Sequence, residues 1–213
     1  MPELPDVEVF KRYFENTSLY QEIAGLDIIE SRMLKQISEK ALKTQLEAKQ
    51  FTGAMRHGKF MFANSDDGAL VLHFGMTGYL KYYRDDREAP SHTRLLVRFN
   101  GNAKLAVSDQ RKLGRISFTD DIQRYVEQQH LGPDAFSDDF NVDSFKQAIN
   151  SSGGSIKSAL MNQERIAGIG NIYSDEILFQ ARLKPGTSTR NLDDKKQGFV
   201  QCSEKHSENG HRK

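Results

Sequence analysis

Two spacings of apolar residues divide this chain. Near the start, Val7, Phe10 and Phe14 recur at helical intervals. They predict a helix over 5–16, with Pro5 in the first turn, where its missing N–H costs nothing. Between residues 26 and 118 the pattern changes to short β-branched and aromatic runs. These predict strands at 26–29, 51–55, 59–63, 69–74, 79–83, 95–99, 104–107 and 115–118. Asp66-Asp67-Gly68, Gly75, Gly78 and Asn100-Gly101 separate them, the last a hairpin signal. Many short strands with regular turns imply an antiparallel β-sandwich. Residues 119–139 are polar, acidic and Gly-Pro-containing, and read as a linker. Helical spacing then returns at 142–150, 155–162 and 171–181, and Gly168-Ile169-Gly170 lies between the last two helices. The fold class is α+β: an N-terminal antiparallel β-sandwich with a leading helix, then an all-helical helix-two-turns-helix domain. The expected boundaries are 1–118 for the sandwich, 119–139 for the linker and 140–192 for the helical domain. A polar, disordered tail is expected over 193–213.

Composition adds bounds rather than identity. A chain of 213 residues, 37% hydrophobic and 28% charged, is ordinary for a water-soluble protein with a real core. No apolar run reaches membrane-spanning length, and the N-terminus has no signal-peptide pattern. Cys202 is the only cysteine, so a disulfide framework is excluded and a reducing, cytoplasmic setting is expected. The net charge is only +1, so any nucleic-acid surface must come from local clustering.

Candidate chemistry starts at the first residues, Met1-Pro2-Glu3-Leu4-Pro5. If Met1 is removed, Pro2 presents a secondary amine with a carboxylate one residue away. An α-amino group titrates near 7.7–8.0, so part of it is an uncharged nucleophile at neutral pH. Attack on a sugar carbon would form a cationic iminium, with Glu3 placed to move protons. The plain alternative is an acidic, proline-containing helix start, which Glu3, Asp6 and Glu8 also fit. Gly168-Ile169-Gly170-Asn171 offers close backbone approach, Asn171 as N-cap and a phosphate site at a helix start, with Lys157 nearby as a cation; an ordinary tight turn is the alternative. Lys59 sits in an apolar strand segment and points either to water or into a cleft. Met76 and Leu113 each occupy a glycine-flanked turn, the second after Arg111 and Lys112. Exposed apolar residues on such turns suit wedges between stacked bases, unless they fold inward.

Together these runs resemble the formamidopyrimidine-DNA glycosylase / endonuclease VIII family. The matching segments are Pro2 through Pro5, Gly58-Lys59-Phe60, His73 through Gly78, Asp109 through Gly114, His130 through Pro133 and Gly168 through Glu176, in family order. The Met76 and Arg111–Leu113 turns place the chain nearer the formamidopyrimidine branch. The resemblance implies a bifunctional DNA glycosylase and abasic-site lyase acting on oxidised purines of the formamidopyrimidine or 8-oxoguanine type. Pro2 would attack the sugar C1′, Glu3 would shuttle protons and Lys59 would hold a lesion phosphate or sugar oxygen. Met76, Arg111 and Leu113 would fill the gap left by the flipped nucleotide. His92, Lys157, Gly170 and Asn171 would contact DNA. The implied partner is double-stranded DNA with damaged bases or abasic sites, lying in a cleft between the domains. The implied setting is a monomer in the cytoplasm, nucleoid-associated, in a bacterium or archaeon.

Two departures shape the expectation. Leu113 stands where the family usually has phenylalanine, which puts the opposite-base preference in question. The family's C-terminal zinc hairpin has no counterpart before Lys213. Cys202, His206 and His211 supply three ligands where structural zinc wants four, so no cofactor and no metal are expected. Weaker, more salt-sensitive DNA binding would follow. The competing reading is a lesion- or abasic-DNA-binding module with little or no catalysis.

Overall fold

All eight expected strands form, with ends displaced by at most three residues. The computed structural model describes residues 1–150 and 153–192. By contacts the chain divides into two units, one of Met1–Pro2 and Asp6–Tyr125, the other of Glu3–Pro5 and Val126–Lys213. The first unit contains β1 (Ile23–Ile28), β2 (Phe51–His57), β3 (Phe60–Ser65), β4 (Gly68–His73), β5 (Gly78–Tyr83), β6 (Thr93–Phe99), β7 (Lys104–Asp109) and β8 (Arg115–Thr119). They make two four-stranded sheets, ordered β1-β6-β7-β5 and β2-β3-β4-β8, antiparallel throughout.

Alternation explains the packing. Leu95, Val97 and Phe99 of β6 are buried at every second position, as a one-faced strand requires. Met61 and Ala63 of β3 join Leu70, Leu72 and Ile116 in the same core. Helix α1 (Leu4–Ser18) adds the predicted Val7 and Phe14 to it. Helix α2 (Glu39–Leu46), absent from the sequence expectation, adds Leu42 and Leu46, one helical turn apart. Its signal is present in retrospect: Ser38 caps it by accepting the Ala41 N–H at 3.2 Å.

The expected linker holds a third helix, α3 (Ile122–Gln128). Strand β3 explains why. Its first four residues, Phe60–Met61–Phe62–Ala63, are all buried, so both faces need cover. Tyr125 of α3 meets Phe60 and Phe62, with ring centroids 5.9 and 5.7 Å away in edge geometry. Such pairs contribute roughly 0.5–1.5 kcal/mol each beyond burial. The Tyr125 hydroxyl lies 3.1 Å from Ser117 Oγ, which satisfies both groups in a buried place. One aromatic on a short polar helix leaves too little periodicity to detect.

The second unit contains α4 (Val142–Asn150), α5 (Ile156–Met161) and α6 (Asn171–Gln180). Phe140, Phe145, Ile149, Leu160, Ile166 and Ile177 form its core, joined by Leu4. The His130–Pro133 segment acts as a strap. Gly132 donates its N–H to Gln163 C=O at 2.8 Å, and Ala135 donates to Ala167 C=O at 3.0 Å. A Cβ on Gly132 would fall 2.6 Å from the Arg165 carbonyl carbon, so only glycine fits there. Gln163 closes the double turn: its Nε2 donates to Met161 and Ile169 carbonyls, and its Oε1 accepts from Gly168 N–H.

Candidate active site

Glu3 anchors the site. It is charged in type yet only 1% exposed. Its Oε2 accepts N–H groups from Gly170 at 2.8 Å and Tyr173 at 3.1 Å, and its Oε1 accepts from Ile172 at 2.9 Å. These donors open α6, where intrahelical partners are lacking and the helix dipole favours an anion. Leu4 continues the anchorage by donating its N–H to Gly168 C=O at 3.1 Å. The glycines allow this approach. A Cβ at Gly170 would lie 2.3 Å from Glu3 Cδ, and one at Gly168, whose φ is +114°, would lie 2.3 Å from Leu4 Cδ1.

This arrangement corrects two expectations. Asn171 is not the N-cap; Gly170 is, and it has no capping side chain. The cap comes instead from Glu3, far away in sequence. The helix start is therefore not an open phosphate site built on Gly170, because the Gly170 N–H is committed to a carboxylate of the same chain. Asn171 itself is exposed in the first helical position. Pro2, directly before Glu3, is half-buried, and Met1 is exposed.

In the first unit, Gly58 and Lys59 form the two-residue turn of the β2–β3 hairpin, rather than Lys59 lying within a strand. Gly58 takes φ +56°, as such a turn demands. Arg56 braces the turn by donating from Nη1 to Gly58 C=O at 3.1 Å, while its Nε reaches Glu8 of α1 at 3.3 Å. Lys59 is 7% exposed, so it does not snorkel to water. Its charge is felt by His73 at the end of β4. Burial, then Arg115, then Lys59 push the His73 imidazole down to about 4. A neutral ring also suits the hydrogen bond in which Nδ1 accepts from Gly75 N–H at 3.3 Å.

Met76 and Leu113 are 41% and 48% exposed, so neither folds inward. Their turns touch: a Cβ on Gly75, at φ +60°, would sit 2.5 Å from Gly114 N. Arg111 is exposed beside them. Lys112 is not available in the same way, because its Nζ binds Glu30 at 2.6 Å. Arg32 and then Lys112 hold the Glu30 carboxyl down at about 2. His92 lies at an exposed corner with φ +63°. The predicted residues thus gather as Met76, His92, Arg111 and Leu113 in one unit, and as Glu3 with Gly170 in the other.

Lys157 on α5 faces an open groove with Ser155, Ser158 and Asn162, and pairs with Asp175 of α6 at 2.6 Å. Sequence reading missed Asp175 as this partner. Among the described residues no three His, Cys, Asp or Glu side chains come together as a metal site. Cys202, His206 and His211 lie outside the described residues, as does the expected tail.

Comparison with known proteins fits this picture. Residues 1–116 match the formamidopyrimidine-DNA glycosylase N-terminal domain, and residues 131–204 match the formamidopyrimidine-DNA glycosylase H2TH domain. The formamidopyrimidine-DNA glycosylase of Acaryochloris marina is 34% identical, over 90% of this chain and 72% of the relative. That of Synechocystis sp. is 32% identical, over 87% and 69%. Among solved structures, the Lactococcus lactis Fpg in complex with abasic-site DNA superposes with a TM-score of 0.90. It is 29% identical over 98% of this chain and 77% of that one. The same enzyme, inhibited and bound to DNA containing N7-benzyl-Fapy-dG, also gives 0.90, with 29% identity over 98% and 78%. Sandwich and double-turn helices thus define a DNA glycosylase of the helix-two-turns-helix class. The chain belongs to the formamidopyrimidine-DNA glycosylase family.

Proposed function

We propose that this chain excises oxidised purines from double-stranded DNA and then cuts the strand at the abasic site. With Met1 removed, the Pro2 nitrogen attacks C1′ of the flipped nucleotide. The C1′–N bond to the base breaks, and the base leaves with a proton. Ring opening gives an iminium joining Pro2 to C1′, and that cation draws electrons from the C2′–H bond. Loss of the 3′ phosphate is β-elimination, and loss of the 5′ phosphate is δ-elimination. Glu3 supplies and receives the protons. Lys59 holds a phosphate or sugar oxygen of the lesion. Met76, Arg111 and Leu113 occupy the vacated stack, which lowers the cost of flipping, a few kcal/mol in general. His92, Lys157 and Asn171 hold backbone phosphates.

The observation that carries this reading is the seat of Glu3. A buried carboxylate fixed by three backbone N–H groups, one residue from the nucleophile, is held in a single position well placed for proton transfer. Lesion- and abasic-DNA complexes of the Lactococcus lactis relative support the substrate class. The test is borohydride trapping with untagged protein on duplex DNA carrying one abasic site. A covalent adduct that disappears when the N-terminus is blocked is expected. Bound but untrapped DNA, at high protein and low salt, would replace this reading with the DNA-binding module.

A further inference from the structure

One buried carboxylate has no part in that chemistry. Asp109, at the end of β7, is 1% exposed. Its Oδ1 accepts from Thr77 Oγ1 at 2.6 Å and from Arg111 N–H at 3.1 Å. Its Oδ2 accepts from Gly114 N–H at 2.8 Å. Thr77 Oγ1 in turn accepts from Arg111 N–H at 3.0 Å, so the three groups close a ring. The backbone of the same residue reaches a third segment: Asp109 N–H donates to His92 C=O at 3.0 Å, and Asp109 C=O accepts from Arg94 Nε at 2.8 Å.

Three turns therefore hang on Asp109, those bearing Met76, His92 and Arg111–Leu113. The exposed tips have little packing of their own to fix them. A carboxylate is suited to this task because both oxygens accept and neither donates. An amide of the same shape would turn one end into a donor facing an N–H. The contact of Gly75 with the Leu113–Gly114 backbone gives the arrangement its close fit.

We infer that Asp109 is a positioning residue that locks Met76, Arg111 and Leu113 into one rigid insertion unit before DNA arrives. The inference rests on the glycosylase reading above. Inserting three side chains into a base stack demands that they arrive in register, and ordering loose loops at that moment weakens insertion. Insertion matters where a paired base must be displaced. A single-stranded abasic site has no stack to open.

That difference supplies the test. Untagged wild type, Asp109→Asn and Thr77→Val are compared on two substrates. One is a duplex with a single oxidised purine, followed as single-turnover excision. The other is a single-stranded oligonucleotide with one abasic site, followed by borohydride trapping. Asp109→Asn is expected to slow duplex excision about tenfold or more, the scale of losing charge-assisted hydrogen bonds, and Thr77→Val severalfold. Single-strand trapping stays within about twofold of wild type, since the wedge acts only on stacked duplex. Equal loss on both substrates, or no loss on either, overturns the inference. Thr77→Val keeps the question answerable if Asp109→Asn does not fold. A wild type that neither excises from the duplex nor is trapped on the single strand removes the glycosylase reading itself, and the inference with it.

Discussion

At the scale of single residues, the seat of Glu3 makes two sharp claims. Gly170 has φ −123°, which alanine tolerates, so the effect of Gly170→Ala is a matter of space alone. The new methyl would lie 2.3 Å from Glu3 Cδ, and the carboxylate must move. We expect a loss of about 1–3 kcal/mol in stability, as overpacking generally costs, and a drop in borohydride trapping. Thermal unfolding and trapping rate measure the two. Gly186→Ala, with nothing within 4 Å of its Cβ, is the matched control and should change neither. Glu3→Gln keeps the shape but puts an amide against three N–H donors. Excision should fall by roughly 10²–10⁴, the usual contribution of a positioned acid–base group. An unchanged single-turnover rate would remove Glu3 from the chemistry.

At the scale of elements, the β4 end and its turn set a pH dependence. Folding holds His73 near 4 against 6.5 for a free imidazole, because burial and the cations Arg115 and Lys59 oppose its charge. Between those values the unfolded chain binds more protons than the folded one, so stability rises with pH in this window. It should fall by roughly 2–3 kcal/mol as pH drops from about 6.5 to about 4, and this group contributes nothing further below that. His73→Gln keeps an acceptor for the Gly75 N–H and should flatten the slope in urea titrations across that range. A slope equal to wild type would mean another group is responsible. Elements were legible in the sequence where one periodicity acted alone. The strands and α1, α4, α5 and α6 announced themselves by alternation or a helical stripe between turn residues. Helix α3 did not, because its buried residues, Tyr125 and Val126, are adjacent and give no helical stripe. The capping of α6 was illegible for a different reason: its acceptor lies at Glu3, and no local pattern connects that position with Gly170, Ile172 and Tyr173. The glycine-flanked turns of Met76 and Leu113 were readable, but left open whether these side chains fold inward, and the tie of both turns to Asp109 has no local pattern at all.

At the scale of the whole molecule, 30 Lys and Arg against 29 Asp and Glu leave little long-range attraction for a polyanion. The Lys112–Glu30 ion pair diverts a further cation, and Lys157 must exchange Asp175 for a phosphate when DNA binds. DNA binding should then rest on a few local contacts. If Lys59, Arg111 and Lys157 are the main cations at phosphates, log K against log salt should have a slope of about −3, and Lys157→Ala should reduce its size by about 1. Fluorescence anisotropy across a salt series measures both, and a slope several units steeper would reveal a basic surface not identified among these residues. The separate cores make a further claim. Phe145 is fully buried in the helical unit, and Phe145→Ala should cost about 3–5 kcal/mol there. Amide exchange should show that loss in α4–α6. The anchorage of Glu3 has one more consequence. Consecutive Cα atoms lie about 3.8 Å apart, so immobilising Glu3 leaves the preceding nitrogen almost no volume to search. The entropy of bringing nucleophile to substrate is then lost once, during folding, and not again at each turnover, a gain in effective molarity of the kind that intramolecular reactions display. Conditions that fray the first turn of α6 should therefore extinguish turnover while both cores remain folded.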